Sequence, residues 1–441
     1  MDTSYQKNIP AQPACDVLVV GAGTAGMLAA LSAARLGAKV VQLERLPFLG
    51  GTSTAVLDTF YGVYTPGEKS RKVVAGIADE VIAGLRGYGA SLERPNTYGA
   101  GTGITYHPEY LKVVWETLAT RAGVSVLLNA QVVDVEAKDG RIESVIVSTR
   151  AGLRRYSARM FVDASGDADL CHYAGFNYEL AGAVEPAQTL TTSFKMVNVD
   201  VARRKSISKK EFHALMGEAA DSGHYQLPRK EGSDHITPVD HMTATIMTRL
   251  QSWRRTESGT INATNPELLS AAEIEGRLQA IEYIRFLRDK VPGYEKAQLA
   301  TFGMQIGVRE TRRVRGRYWL TREDVLGARQ FDDQIALCGA PIEDHNGTSD
   351  TKWHYIPDGK CVGVPLRTLI PAKAANVLVA GRCFSASHDA HASVRSMGQT
   401  MALGQAAGTA AALAARSDAS VDGIVAAAVQ DQLRRDGAIL E

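Results

Sequence analysis

Apolar positions along the chain fall into short runs that end in glycine. The first run, Cys15-Asp16-Val17-Leu18-Val19-Val20, stops at Gly21-Ala22-Gly23-Thr24-Ala25-Gly26. An alanine-rich stretch with helical spacing follows to Leu36, and a second apolar run, residues 39–43, ends in Glu44. A continuous apolar run of this length predicts a strand covered on both faces. The order is therefore strand, tight turn, helix, strand, acid. Farther on, the spacing predicts helices over residues 70–85 and 108–122, the second with Pro108 in its first turn. Short alternations predict strands at 124–128, 132–137 and 142–148, with Asp139-Gly140 as a hairpin turn between the last two. Residues 154–158 predict another strand, and 160–163 a strand running into the turn Ala164-Ser165-Gly166-Asp167. After Cys171 the pattern changes: residues 201–260 are polar, charged and uneven. Residues 271–291 predict an amphipathic helix stopped by Pro292-Gly293, and 334–337 a short strand. Val377-Leu378-Val379-Ala380-Gly381 repeats the opening style, and a long alanine-rich helix runs from near Gly398 to Ala415.

The first turn has the residues that a dinucleotide pyrophosphate requires. Gly21 permits the sharp turn, Gly23 lets the backbone approach the phosphates, and Gly26 lets helix and strand pack closely. Amides near Ala22, Thr24 and Ala25 stand at a helix N-terminus, where unpaired N–H groups and a partial positive charge face an anion. Glu44, followed by Arg45, is placed to accept hydrogen bonds from both hydroxyls of an adenosine ribose and to repel a 2′-phosphate. With strand before, helix after and acid about 20 residues on, the glycine triplet becomes a specific fingerprint. Gly50-Gly51-Thr52-Ser53 adds paired glycines and hydroxyls suited to a flat or phosphorylated ligand.

Composition narrows the picture further. The 441 residues allow two or three domains. Lys+Arg 49 against Asp+Glu 48 leaves a net charge of +1, which disfavours nucleic acid and acidic membrane surfaces as partners. The five cysteines show no CxxC spacing, so no zinc, iron–sulfur or dithiol site is expected, and no metal is assigned. That usage fits a reduced, cytoplasmic setting. Residues 1–14 are read as a flexible tail without the apolar core of a signal peptide, and no run of about 18 apolar residues exists to span a membrane.

Taken together, several segments resemble the two-dinucleotide-binding flavoproteins. More narrowly, the chain resembles a bacterial FAD-dependent oxidoreductase family distantly like the fumarate reductase and succinate dehydrogenase flavoproteins. The segments are Gly21 to Gly26 with Glu44, Gly50-Gly51-Thr52, residues 163–167, residues 305–313, residues 376–382 and residues 385–408. They cover most of the chain except about 201–270. The resemblance implies an α/β fold: a Rossmann-like FAD-binding domain, with a central parallel sheet and a small antiparallel sheet, built from residues 15–170 and 361–441. An α+β substrate domain, residues 171–360, would be inserted. It implies FAD contacts from the residues above and from Val132, Ala164, Ser165, Gly166, Asp167, Gly381 and Arg382. The start of the late helix, around Gly398 and Met401, would face the N1/O2 edge of the flavin. Relatives carry aspartate where Arg382 stands. The succinate dehydrogenase branch carries a flavin-linking histidine where Thr52 stands, so FAD is expected to be non-covalent.

For chemistry, histidines come first because imidazole titrates near neutrality. His388 flanks the cofactor segment; His345 and His354 precede it, and His391 is a weaker candidate. Arg309, Arg312, Arg313, Arg315 and Arg317 crowd one segment, where they form either an ion-paired surface or a carboxylate clamp. The catalytic candidates are His388, His345, His354, Arg395, Arg312 and Tyr61, with Tyr98 and Tyr355 as further pocket aromatics. The expected activity is that of an FAD-dependent dehydrogenase or oxidase taking a hydride from a small organic substrate onto flavin N5. Two alternatives share its motifs: a reduced-FAD enzyme without net redox (hydratase, isomerase or lyase), and a non-catalytic or RNA-modifying flavoprotein. One glycine fingerprint suggests oxygen, a quinone or a carrier protein as electron acceptor. A homodimer is a family-level expectation.

Overall fold

The computed structural model describes residues 8–95, 99–347, 351–417 and 420–441. The opening run forms β1 (Cys15–Val20), buried except at the half-covered Asp16. It pairs in parallel with β2 (Val40–Leu43) and β4 (Ala158–Asp163). With β3 (Ser125–Leu127) and β5 (Val377–Val379), the strands make a five-stranded parallel sheet of order β5-β4-β1-β2-β3. Helix α1 (Thr24–Arg35) follows the first turn, and the late helix α2 (Met397–Ser417) lies beside it against the same sheet.

Small residues set the contact between these two helices. A Cβ on Gly404 would lie 2.1 Å from the Ala25 carbonyl oxygen, and one on Gly408 would lie 2.1 Å from that of Ala29. Side chains four residues apart share a helix face, so the two glycines form one groove that receives two alanines. Hydroxyl pairs close the ends of the groove: Thr24 Oγ1 to Thr400 Oγ1 at 2.8 Å, and Ser32 Oγ to Thr409 Oγ1 at 2.7 Å.

The small antiparallel sheet contains Gln131–Lys138, Arg141–Thr149 and Gly152–Tyr156. Its first turn has Asp139 at φ 50° and Gly140 at φ 77°, the two left-handed residues that a tight hairpin needs. Part of the expected tail is anchored to this sheet. Gln12 N donates to Arg155 O at 2.8 Å and Arg155 N donates to Pro10 O at 3.0 Å; residues 1–7 lie outside the described residues.

Three helices differ from expectation for local reasons. The helix expected over 70–85 begins only at Ile77 (Ile77–Gly87), because Gly76 at φ 78° interrupts it and Val73 N donates to Val63 O instead. The helix expected at 271–291 spans Pro266–Lys290, since Asn265 caps it through Leu268 N and Pro266 occupies the first turn. An unforeseen helix, Lys209–Asp221, starts at a reciprocal Ser208–Glu211 cap. A further helix, Ala426–Arg435, follows α2.

The middle of the chain has its own core. Strands Ser233–Ile236, Thr243–Ile246, Phe194–Val197 and Gln298–Phe302 form an antiparallel sheet in that order. Phe194, Met196, Met216, Met247, Tyr283 and Phe286 share one buried cluster there. The clusters of this unit extend from residue 190 to residue 306. Val314, Leu320, Ile335, Leu337 and Ile342 belong instead to the first core, because Gln334–Cys338 pairs with Val362–Pro365 and packs under α2. The cores thus divide earlier than the expected boundary at 360. All five cysteines are buried and unpaired, and among the described residues no helix is long and apolar enough to cross a membrane.

Gly404→Ala is expected to lower the unfolding free energy of the apoprotein by about 1–3 kcal/mol, because the added methyl meets backbone that cannot yield. Gly217, inside the helix Lys209–Asp221, has nothing within 4 Å of its Cβ position. Gly217→Ala is expected to raise stability by roughly 0.5–1 kcal/mol. Urea unfolding of the two variants beside the parent checks both signs.

Candidate functional site

A cleft of about 1830 Å³ opens where β1, β2, β4 and β5 end, and it reaches across to the second sheet. Gly21, Glu44, Ala164 and Gly381, the residues just beyond those strands, all line it. Crevices at the carboxyl ends of parallel strands are the general ligand sites of such sheets.

The three fingerprint glycines divide the work as their positions require. Gly21 has φ 89°, and a Cβ there would sit 2.4 Å from Ala164 O; one on Gly26 would sit 2.0 Å from Gly21 O. Gly23 has nothing within 4 Å of its Cβ position, so its backbone faces open space. Gly50 N donates to Ala22 O at 2.7 Å, which lays the second glycine pair against the first turn. The buried Glu44 accepts from Ala22 N at 2.6 Å and Leu46 N at 2.8 Å. Burial pushes its carboxyl upward against these two amides. Each carboxylate oxygen keeps a second lone pair for a ribose hydroxyl. Asp163 shapes the opposite turn: its Oδ1 accepts from Ser165 N and Ser165 Oγ, and its Oδ2 from Cys171 N.

Arg45, Gly51, Thr52, Thr24, Ala25, Ser165, Gly166 and Arg382 also line the cleft. Arg382 bonds Asp167 Oδ1 at 2.9 Å and leaves a buried Nη1 without a partner. An unpaired guanidinium nitrogen beside an open glycine turn fits the diphosphate of a dinucleotide. Other expected contacts play supporting roles. Ala22 serves Glu44, Gly26 packs on Gly21, and Gly50 and Ser53 bond one another. Asp167 is taken by Arg382 and Thr311. Val132 and Met401 are core residues outside the cleft lining. Gly398 N donates to Tyr61 O at 2.9 Å, so this amide is not free for a ligand; Ser396, Met397 and Thr400 face the cleft instead.

At the far end stand Thr59, Tyr61, Arg229, His235, Arg309, Glu343, His345 and Arg395. Arg94 Nη2 donates to the Tyr61 hydroxyl at 3.0 Å. Arg309 Nη1 donates to Thr189 O at 2.6 Å and Thr191 Oγ1 at 2.8 Å. Arg395 Nη2 donates to Glu343 O at 3.2 Å, and its buried Nε has no partner. Burial presses both guanidinium groups downward. His345 Nε2 lies 2.8 Å from Glu343 Oε1, and burial together with Arg309 pushes this imidazole down to about 3.

Three expected catalytic residues fall outside this end. His388 is buried away from the cleft, with Nδ1 2.9 Å from Glu310 Oε1 and Nε2 3.2 Å from Asp344 Oδ1. Arg312 Nη1 donates to Asp167 O and Asp169 Oδ1. His354, half-buried, pairs with Ile342 in a short hairpin. His391 stacks on Phe384 and bonds Arg382 O, and Tyr355 is exposed. Tyr98 lies outside the described residues. Asp344, His388 and Asp389 present donor atoms within 4.8 Å, yet both His388 nitrogens already serve acids and Asp389 bonds Arg322. Sequence reasoning missed Arg229, His235 and Glu343. The one available signal for His235 was alternation in Ser233-Asp234-His235-Ile236, whose first and third residues are buried.

His388 supplies a pH test. Burial opposes its charge, but the hydrogen bonds it donates to Asp344 and Glu310 raise it to about 10. Its stabilisation is complete below the ordinary imidazole value of about 6.5, and it fades as pH rises through about 10. His388→Gln, which removes the buried cation shared by Glu310 and Asp344, is expected to cost about 3–5 kcal/mol near neutrality. That gap from the parent, read by urea unfolding, narrows as the pH is taken above 10.

The model of the FAD dependent oxidoreductase family matches residues 16–433. A digeranylgeranylglycerophospholipid reductase of Thermoplasma acidophilum is 25% identical over 228 residues, which is 50% of this chain and 55% of that one. A thiamine thiazole synthase of Methanococcus aeolicus is 29% identical over 234 residues, 50% of this chain and 82% of the other. The crystal structure of a geranylgeranyl bacteriochlorophyll reductase-like protein from Thermoplasma acidophilum has TM-score 0.44 and 13% identity, covering 97% of this chain and 83% of its own. The chain spans about half the length of the curated reductases it matches. The glycine cradle, the buried Glu44 and the family match agree on the cofactor, FAD. The chain belongs to the FAD dependent oxidoreductase family.

Proposed function

We propose that this oxidoreductase exchanges a hydride with a small organic acid whose carboxylate is held by Arg309 and Arg395. One observation supports the reading above others. Both residues line the cleft, and among the described residues neither guanidinium has a carboxylate oxygen within ion-pair distance. Arg229, by contrast, is matched by Glu231 at 3.4 Å. Buried cations without a matching anion are costly, and a ligand carboxylate relieves that cost while the planar guanidinium fixes its orientation.

The remaining residues orient and insulate. Thr189 O and Thr191 Oγ1 fix the angle of Arg309. The neutral His345 donates to Glu343 and limits the positive charge of the site. Tyr61 accepts from Arg94 and keeps its own proton to donate toward the cleft. The bound FAD supplies the two-electron chemistry. The first turn of α2 brings the positive end of its dipole to the cleft through Met397. A single dinucleotide fingerprint favours oxygen, a quinone or a carrier protein as electron acceptor.

Anaerobic titration with 2-hydroxy acids, 2-amino acids and dicarboxylates of up to about six carbons is the direct test; such a panel spans the chemistry that a bidentate guanidinium recognises. At least one acid is expected to bleach the flavin absorbance. Arg309→Met and Arg395→Met are each expected to weaken that acid about 10–100-fold, as loss of a charge-assisted hydrogen bond implies. Flavin content should not change. A neutral ester that bleaches the flavin as readily as its acid would sink the proposal. Gly23→Ala is expected to do the opposite: the cradle loses FAD while the apoprotein unfolds at the parent urea concentration.

A further inference from the structure

His235 stands between two spaces and has one ring nitrogen committed. It lies on the strand Ser233–Ile236 of the second sheet, with Ser233 on the same face, and both residues line the cleft. Its Nε2 is 2.8 Å from Asp58 Oδ1. Asp58 comes from the other core, immediately before Thr59, and is 4% exposed. A buried carboxylate accepts, so Nε2 carries the proton and Nδ1 keeps its lone pair. Among the described residues Nδ1 has no hydrogen-bond partner. The same imidazole borders a second cavity of about 850 Å³, beside Lys195, His107 and Glu109.

The groups around the pair favour a fixed tautomer. Lys195 Nζ lies 3.5 Å from Asp58 Oδ2, which has no hydrogen bond of its own. Burial opposes the Asp58 charge, and the contact with His235, followed by Lys195 and Arg94, outweighs it. Tyr61, Tyr106 and Arg229 complete the titratable and charged groups that border the two spaces near this ring.

We propose that His235 is the acid–base residue of the hydride transfer and that Asp58 positions it. The inference rests on the oxidoreductase reading above. In the oxidative direction the substrate C–H bond breaks with its electron pair, which FAD accepts as a hydride. The O–H or N–H bond on the same carbon breaks with its proton, which His235 Nδ1 accepts; a C=O or C=N bond forms. The substrate loses two electrons and FAD gains two. His235, now an imidazolium, is held by Asp58 until the proton leaves by way of the adjoining cavity. An oriented imidazole with a carboxylate behind it is a recurrent arrangement for this task, and such proton transfers contribute about 10²–10⁴-fold in rate.

Two measurements on the FAD-loaded protein test it. In the first, ring-¹⁵N-histidine NMR, assigned with His235→Asn, is expected to show the proton on Nε2 and none on Nδ1 near pH 8. Asp58→Asn is expected to mix the tautomers. In the second, rapid anaerobic bleaching is followed with the best acid of the panel. His235→Asn and His235→Gln are expected to slow it at least about 100-fold. They should also remove the acid limb of the rate–pH profile and leave acetate binding, read as a flavin absorbance shift, within about twofold. Asp58→Asn should slow bleaching less and shift that limb. Bleaching within about threefold of the parent in the two folded His235 variants, or a proton resident on Nδ1, overturns the assignment. Should no acid bleach the flavin, the carboxylate reading falls, and the NMR tautomer alone decides the pair.

Discussion

At the centre of their contact α1 and α2 meet backbone to backbone, with hydroxyl pairs at either end. Gly404 and Gly408 meet Ala25 and Ala29 at a separation that a single added carbon would violate. The distance between the fingerprint turn and the start of α2 is therefore fixed by steric contact of backbone atoms rather than by adjustable side-chain packing. The turn and the first residues of α2 both line the cleft. A chain that gathers its cofactor site from residues 21–52 and 381–400 needs such an incompressible joint, because both sets must hold one rigid ligand.

Charge inside the molecule is arranged in two different ways. Behind the cleft it is matched. Glu310 meets His388 and Arg313, and Arg313 also meets Glu179. These groups brace the walls and have few valences left for a ligand. At the far end of the cleft Arg229, His235 and His345 have acidic partners, whereas Arg309 and Arg395, among the described residues, have none within ion-pair distance. A buried ion pair contributes little net stability, while a buried unpaired charge is a strong local demand for a partner. The transition from the first regime to the second marks where recognition begins.

What could be read beforehand followed from how local each signal is. The strand, turn, helix and Glu44 lie within about thirty residues, and each glycine has a backbone reason visible in the residue type itself. The hairpin at Asp139-Gly140 and the long helix from Met397 were legible for the same reason. His388 misled because its nearness in sequence to the cofactor segment said nothing of Glu310 and Asp344, its actual partners. His235 was invisible because its partner, Asp58, is 177 residues away in another core. The boundary near residue 310 could not be placed, since it depends on which core receives Ile335 and Leu337, and apolar residues suit either.

Tyr61 O accepts from Gly398 N, and Gln399 Nε2 donates to the adjacent Gly62 O at 2.5 Å. The floor of the reactive end is thereby stitched to α2, whereas its roof, Arg229 and His235, hangs from the separate core of the second sheet. Floor and cofactor cradle would be inherited as one piece, while the roof answers to a different set of packing demands. Lineages descended from such a chain could remodel the roof to meet new metabolites without relearning how to hold the flavin. The Asp58–His235 bond is the point where that freedom ends, because it ties the second sheet to the part of the chain that carries the glycine turns.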